Sequence, residues 1–170
     1  MPVDLDEPVE LASYDARWPG RAEREIERLR PALPGDAAVV HIGSTAAPGC
    51  EAKPIVDLLV GSAPGLLAAV ARAVEQAGYE SLGEAEPGRY YLRRRSPSFN
   101  VHVVELDGRL WHDDLLLLEL LRSDPEARAR YGAAKRRALW LEPNLLGYSR
   151  EKSRAVVELL AEARRRATRP

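Results

Sequence analysis

The twenty residues from His41 to Val60, HIGSTAAPGCEAKPIVDLLV, constrain the fold of this chain more than any other stretch. Val39, Val40, His41 and Ile42 read as a short strand that stops at Gly43-Ser44. A loop of small residues and prolines then leads to a second apolar strand carrying one acid, Asp57. Both strands, at about 38–42 and 55–60, are nearly all apolar, the composition of strands buried on both faces. An unpaired carboxylate is costly in such a setting, so Asp57 calls for a metal ion, a ligand or a basic partner. A small turn after one strand lets backbone N–H groups approach a phosphate, and an acid on the neighbouring strand can hold Mg²⁺. A buried ion pair with an arginine is the structural alternative.

Around this unit the chain divides into two halves of different character. Residues 1–18 read as an extended arm held down by Tyr14 and Trp18. Pro19 suits a first helical turn, and Ala22, Ile26 and Leu29 form a stripe that ends by Pro31. Pro64-Gly65 opens a helix to about Gln76, with Leu66, Leu67, Val70 and Val74 on one side and Gly78 as its stop. A short strand over 79–82 precedes two strands, Arg89 to Arg95 and Phe99 to Glu105, which turn at Ser96-Pro97-Ser98 as a hairpin. Beyond Asp107-Gly108 the pattern is helical. Leu110 to Arg122 forms one helix, with Leu115, Leu118 and Leu121 inward. Asp124 caps a second that runs from Pro125 to about Leu141. After a loop at 143–147, Ser149 caps a last helix buried along Ala155, Val156, Leu159, Leu160 and Ala163. The fold class is α+β in a single domain over 1–170, without repeats or a long linker.

The motif HIGST..PG...KPIVD resembles the GrpB-like family, a branch of the nucleotidyltransferase superfamily that also occurs fused to some dephospho-CoA kinases. Tyr14…Trp18, Arg89-Tyr90-Tyr91, Val101-His102-Val103, Tyr131…Lys135 and Tyr148…Lys152 fit the same family, so the resemblance spans nearly the whole chain. It implies a minimal nucleotidyltransferase-like mixed β-sheet with helices on one side and a helical C-terminal half. It also implies a transferase that binds a nucleoside triphosphate with Mg²⁺ as cofactor and moves a nucleotidyl group to an acceptor. Catalytically typical members of the superfamily carry a second acid two residues beyond the first, on the same strand face. Here that position is Leu59, and GrpB-like proteins commonly lack the second acid too. A lone Asp57 holds Mg²⁺ less tightly than a pair of acids. The alternative is therefore a non-catalytic or accessory domain on the same fold, binding a phosphorylated or coenzyme A-like small molecule.

Gly43 and Ser44 are the phosphate-cradling pair. A third acid on a later strand is normal in the superfamily, which makes Glu105 a metal ligand beside Asp57, with His102 as a further catalytic candidate. Strand alternation puts His102 and Val104 on one face and Val101, Val103 and Glu105 on the other, so only one of the two faces Asp57 in a regular strand. His102, flanked by valines, is the inward one. Two readings of His41 stand level: it binds phosphate, orients Asp57 or acts as a base, or it is a hydrogen-bonded core histidine. Arg89, Arg93 and Arg95 share one strand face, and Arg94 points away; a basic face beside a phosphate turn and a solvated edge strand have the same composition.

Of the 25 basic residues only Lys53, Lys135 and Lys152 are lysine. All three fall in the family-like motifs, where a compact ammonium and a planar guanidinium are not equivalent. Lys53 precedes the Asp57 strand. Tyr131 and Lys135 lie one helical turn apart, as do Tyr148 and Lys152, so each pair either stacks on a base and binds a phosphate or packs as a tyrosine under a lysine stem.

The formal net charge of −1 argues against a global pull toward nucleic acid or anionic membrane. No apolar run approaches a spanning helix, the N-terminus is acidic, and the single Cys50 excludes an internal disulfide, all of which fit a cytoplasmic protein. Cys50 reads as a small loop residue. His112, Asp113 and Asp114 are consecutive and do not converge on a helix, and no spacing of His, Cys or acids makes a zinc motif.

Overall fold

The computed structural model describes residues 8–168; the start of the expected arm, residues 1–7, lies outside the described residues. Five strands form one mixed sheet: β1 (Ala38–Ile42), β2 (Val56–Ser62), β3 (Glu80–Glu86), β4 (Arg89–Arg95) and β5 (Ser98–Glu105). Their spatial order is β1-β2-β5-β4-β3. Only the β2–β5 pair is parallel; the rest are antiparallel. A parallel joint needs a long crossover, and helix α2 (Leu67–Gln76) with the β3–β4 hairpin supplies it.

Alternation along β2 sorts the core into two layers. Val56, Leu58 and Val60 point to the side covered by α1 (Trp18–Leu29) and α2, where they meet Trp18, Leu29, Val70 and Val74. Leu59 points to the opposite side with Ile42 and Val104. There α3 (Arg109–Ser123), α4 (Pro125–Leu141) and α5 (Leu145–Ala167) contribute Trp111, Leu121, Tyr131 and Leu159. The helical C-terminal half is thus the cover of the second face. β2 is buried on both sides as its composition predicts, but β1 is not: as an edge strand it is mostly half-buried. β3 runs four residues past its expected end because Glu84 and Glu86 sit on the other edge, where acids are solvated and blunt further pairing.

The first covered face also holds an ionic hub. The buried Glu25 carboxylate accepts from Arg28 Nη2 (2.6 Å) and Tyr79 Oη (2.8 Å) on one oxygen and from Arg94 Nη2 (2.6 Å) on the other. Arg94 therefore faces away from Arg93, as alternation requires.

Two helix starts differ in origin. Asp124 caps α4 as expected, accepting from the amides of Glu126 (2.8 Å) and Ala127 (3.0 Å). The expected Ser149 cap is corrected: α5 begins at Leu145, and Asn144 accepts from the Gly147 amide at 2.8 Å. Asn and Ser cap equally well, so the sequence offers both sites. Gly147, expected in a loop, lies inside the helix, where a Cβ would sit 2.5 Å from Glu142 Cβ. The described part of the N-terminal arm is tied down by isolated bridges Pro8–Asn144 and Ala12–Ala52 and by an edge-to-face Tyr14–Trp18 contact at 5.5 Å.

Candidate functional site: a cationic cleft around Asp57

Asp57 is the second residue of β2 and pairs with Ile42, the last residue of β1. The turn that leaves β1 therefore lands beside the carboxylate. Gly43 takes φ +75° and ψ −167°, a region open essentially only to glycine, and a Cβ there would lie 3.1 Å from Asp57 Oδ2. Ser44 then starts a single 3₁₀ turn, Ser44–Ala46. Gly43→Ala is expected to cost about 3 kcal/mol in chemical denaturation, from backbone strain and the crowded carboxylate together; a loss below about 0.5 kcal/mol would show that the turn relaxes.

The register of β2 on β5 puts Asn100 opposite Asp57 and His102 opposite Leu59. Asn100 Nδ2 donates to Asp57 Oδ1 at 2.8 Å, and His102 Nε2 stands 3.6 Å from the same oxygen. Burial works against ionisation of Asp57, but His102, Asn100 and the charge of Lys152 outweigh it and hold the carboxyl below the usual range. The next strand brings Tyr91 opposite His102, with ring centroids 5.0 Å apart, and Arg93 opposite Asn100, itself buried.

Two adjoining recesses meet at Asp57. The larger, 410 Å³, runs between the sheet and α3 and α5; Gly43, Asp57, Arg93 and His102 line its polar side, and Leu82, Leu117 and Val156 its apolar side. The smaller, 30 Å³, lies under the turn between Ser44, Lys135 and Tyr148. Lys53, Asp57, Tyr131 and Lys152 border both. All three lysines of the chain thus converge on one spot. Lys135 is 2 % exposed; its Nζ donates to Ser44 Oγ at 3.0 Å and to the Glu51 carbonyl, and lies 4.4 Å from the Tyr131 ring centroid. Burial pushes its pKa down to about 8, Cys50 and Glu51 pull it up, and Lys152 and Arg136 push it down. Lys53 and Lys152 stand 5.6 and 5.9 Å from the Tyr148 ring centroid. Tyr148 is fully buried, and burial raises its pKa.

The structure thus brings the sequence candidates Gly43, Ser44, Lys53, Asp57, Arg93, His102, Lys135, Tyr148 and Lys152 to one place. Two expectations need correction. Glu105 pairs with Ser62, five residues along β2 from Asp57, or about 16 Å at strand rise, and is exposed. His41 does not line either recess: alternation turns it away from Ile42, and its Nε2 meets Thr45 Oγ1 at 2.9 Å, bracing the 3₁₀ turn from behind. Burial drives its pKa down to about 4, despite Asp57 and with the help of Arg122, so it is neutral at pH 7. Sequence reasoning missed Asn100 and Tyr91. Asn100 lies two residues before His102, so the alternation that placed the histidine places it too.

The donor set does not fit the metal pair of an active nucleotidyltransferase. Leu59 is fully buried where a second acid would stand, and Asn100 presents a donor to Asp57 where a third acid would help. Among the described residues no three His, Cys, Asp or Glu side chains come together as metal ligands.

The sequence model of the GrpB protein family matches residues 8–162. The chain belongs to the GrpB family. A UPF0157 protein of Streptomyces coelicolor is 38% identical over 156 residues, covering 90% of this chain and 83% of the relative. A dephospho-CoA kinase of Mycolicibacterium paratuberculosis is 32% identical over 166 residues, which span 77% of this GrpB-family chain but only 40% of that enzyme. The crystal structure of GrpB from Enterococcus faecalis superposes with a TM-score of 0.75 at 28% identity, over 90% of this chain and 98% of that one. A Cid1 poly(U) polymerase structure with Mg 3′-dATP bound superposes with a TM-score of 0.51 at 18% identity, over 74% of this chain and 41% of the polymerase. That likeness establishes a nucleotidyltransferase-like fold.

Proposed function

We propose that this GrpB-family chain binds a phosphorylated small molecule of the nucleotide class in the cleft around Asp57. The observation that carries this reading is the convergence of Lys53, Lys135 and Lys152 on the Ser44 turn, in a chain whose other 22 basic residues are arginine. Gathered like charges repel one another unless an anion joins them. Lys135 Nζ already donates to Ser44 Oγ at 3.0 Å, and Lys152 borders the same recess. A phosphate group at the turn is an anion of the size and charge that these ammonium ions bind. The 410 Å³ recess beside it, with Tyr91, Leu82 and Val156, is large enough for a base and sugar. The Cid1 structure with bound Mg 3′-dATP on the same fold and the dephospho-CoA kinase relative favour a nucleotide or a coenzyme A-like ligand.

The second reading is nucleotidyl transfer with Mg²⁺, and the nucleotidyltransferase-like fold is what favours it. A cytoplasmic setting with no nucleic-acid or membrane partner accords with both. Among the described residues no helix is long and apolar enough to cross a membrane. Thermal melting with nucleotides and coenzyme A precursors tests the binding reading. A ligand at 100-fold over its Kd adds about 2.7 kcal/mol, or about 5–10 °C for a chain of this size. No shift with any phosphorylated compound would remove the proposal. Release of pyrophosphate from a triphosphate would promote the transfer reading over it.

A further inference from the structure

The anionic end of a nucleotide usually reaches a protein wrapped around Mg²⁺, and carboxylates hold the metal in turn. This cleft has the opposite composition. Its one central carboxylate already accepts the Asn100 amide at 2.8 Å and lies 3.6 Å from His102 on the same oxygen. Among the described residues its other charged side chains are cations apart from Asp114, which accepts from Arg89 at 2.8 Å. Mg²⁺ prefers an octahedron of oxygens, and the site offers one carboxylate flanked by N–H donors. Ammonium ions, in contrast, bind phosphate oxygens as point charges with freely rotating donors. Lys135 is pre-set for this: it is buried, anchored to the Glu51 carbonyl, and already donates to the hydroxyl of the turn where a phosphate would sit.

We propose, building on the phosphate-binding reading above, that the cleft takes its phosphorylated ligand free of divalent metal. Lys135 and Lys152 neutralise the phosphates, and Asp57 is the acceptor that fixes Asn100 and His102. Mg²⁺ then competes with the lysines for the same phosphate oxygens, so metal weakens binding or leaves it unchanged.

Titration calorimetry with ATP and with inorganic pyrophosphate, each in EDTA and in excess Mg²⁺, tests this on the native chain, so no variant has to fold for the central comparison to count. The expected Kd in EDTA is equal to or lower than that in Mg²⁺. Lys152→Met, at a half-buried position, is expected to weaken binding by about 10-fold under both conditions. Asp57→Asn, which removes the negative charge beside the phosphates, is expected to tighten binding in EDTA. Binding that falls more than about tenfold in EDTA, or that vanishes in Asp57→Asn while its melting temperature holds, would overturn metal-free capture and leave the phosphate reading standing. Failure of both probes under both conditions, with no effect on melting, would take down the phosphate reading itself and this inference with it.

Discussion

Glu25→Ala is expected to lower the unfolding free energy by about 3–5 kcal/mol, the loss seen when one partner of a buried ionic cluster is removed. The carboxylate is only 7% exposed and satisfies Arg28, Arg94 and Tyr79 together. Truncation leaves the Arg94 guanidinium, itself 16% exposed, above a cavity between α1 and the sheet. Burial disfavours the Glu25 anion, but Arg28, Arg94 and Tyr79 together overcome that and hold its pKa below the ordinary value. A carboxyl whose folded pKa is depressed contributes stability that is present above the unfolded pKa, about 4.3, and lost as pH falls through the folded value. The acid limb of the stability curve should therefore flatten in Glu25→Ala. Tyr79→Phe, which removes one hydrogen bond to the carboxylate, should cost about 1.5–3 kcal/mol. Because the hub lies on the α1–α2 face, Tyr79→Phe should leave ligand affinity at the Asp57 cleft unchanged. Urea denaturation across pH 3–7 reads the stability changes and ligand titration the affinity, and a loss under about 1 kcal/mol for Glu25→Ala would show that the arginines find water instead.

How much of this was legible depended on whether a feature was local. The β1–turn–β2 unit, the Asp124-Pro125 helix start and the division of Arg93 from Arg94 follow from turn chemistry and alternation over a few residues, and the structure has them. Alternation also placed His102 beside Asp57 and Glu105 away from it. The superfamily habit of a third acid pulled the other way, and the register β2–β5 decides for alternation. Lysine scarcity marked the three cationic residues, yet nothing local says that positions 53, 135 and 152 meet; α4 and α5 packing on one face of the sheet brings them together. The Glu25 hub and the N-terminal bridges were out of reach for the same reason, since each joins residues dozens of positions apart. Ser149 and Asn144 are equally good caps by residue type, and the structure uses Asn144.

Affinity for a phosphorylated ligand should be flat up to about pH 8 and then fall by close to tenfold per pH unit, reaching about 100-fold by pH 10. The cause is Lys135, whose pKa burial pushes down to about 8 in the free protein. A phosphate placed against its ammonium restores the charge, so above pH 8 each binding event must take up a proton. The ligand does not blur the slope, because phosphate esters have lost their second proton by pH 8. Cys50 and Tyr148 are held up by burial, which leaves Lys135 as the buried group beside Ser44 that discharges. Stability should move in the opposite direction. Between about pH 8 and 10.5 the unfolded chain binds a proton that the folded chain does not, so deprotonation relieves a cost that is fully present at pH 7. Lys135→Met should accordingly be more stable than the native chain at pH 7, by about 3 kcal/mol at most, and should lose that advantage by pH 10.5. The difference between the two proteins is the quantity to follow. Calorimetry in two buffers of different ionisation enthalpy counts the proton directly. An uptake near one at pH 9, abolished in Lys135→Met, is the expected result; pH-independent affinity from 7.5 to 10 would mean that the ligand's anionic end lies elsewhere in the cleft.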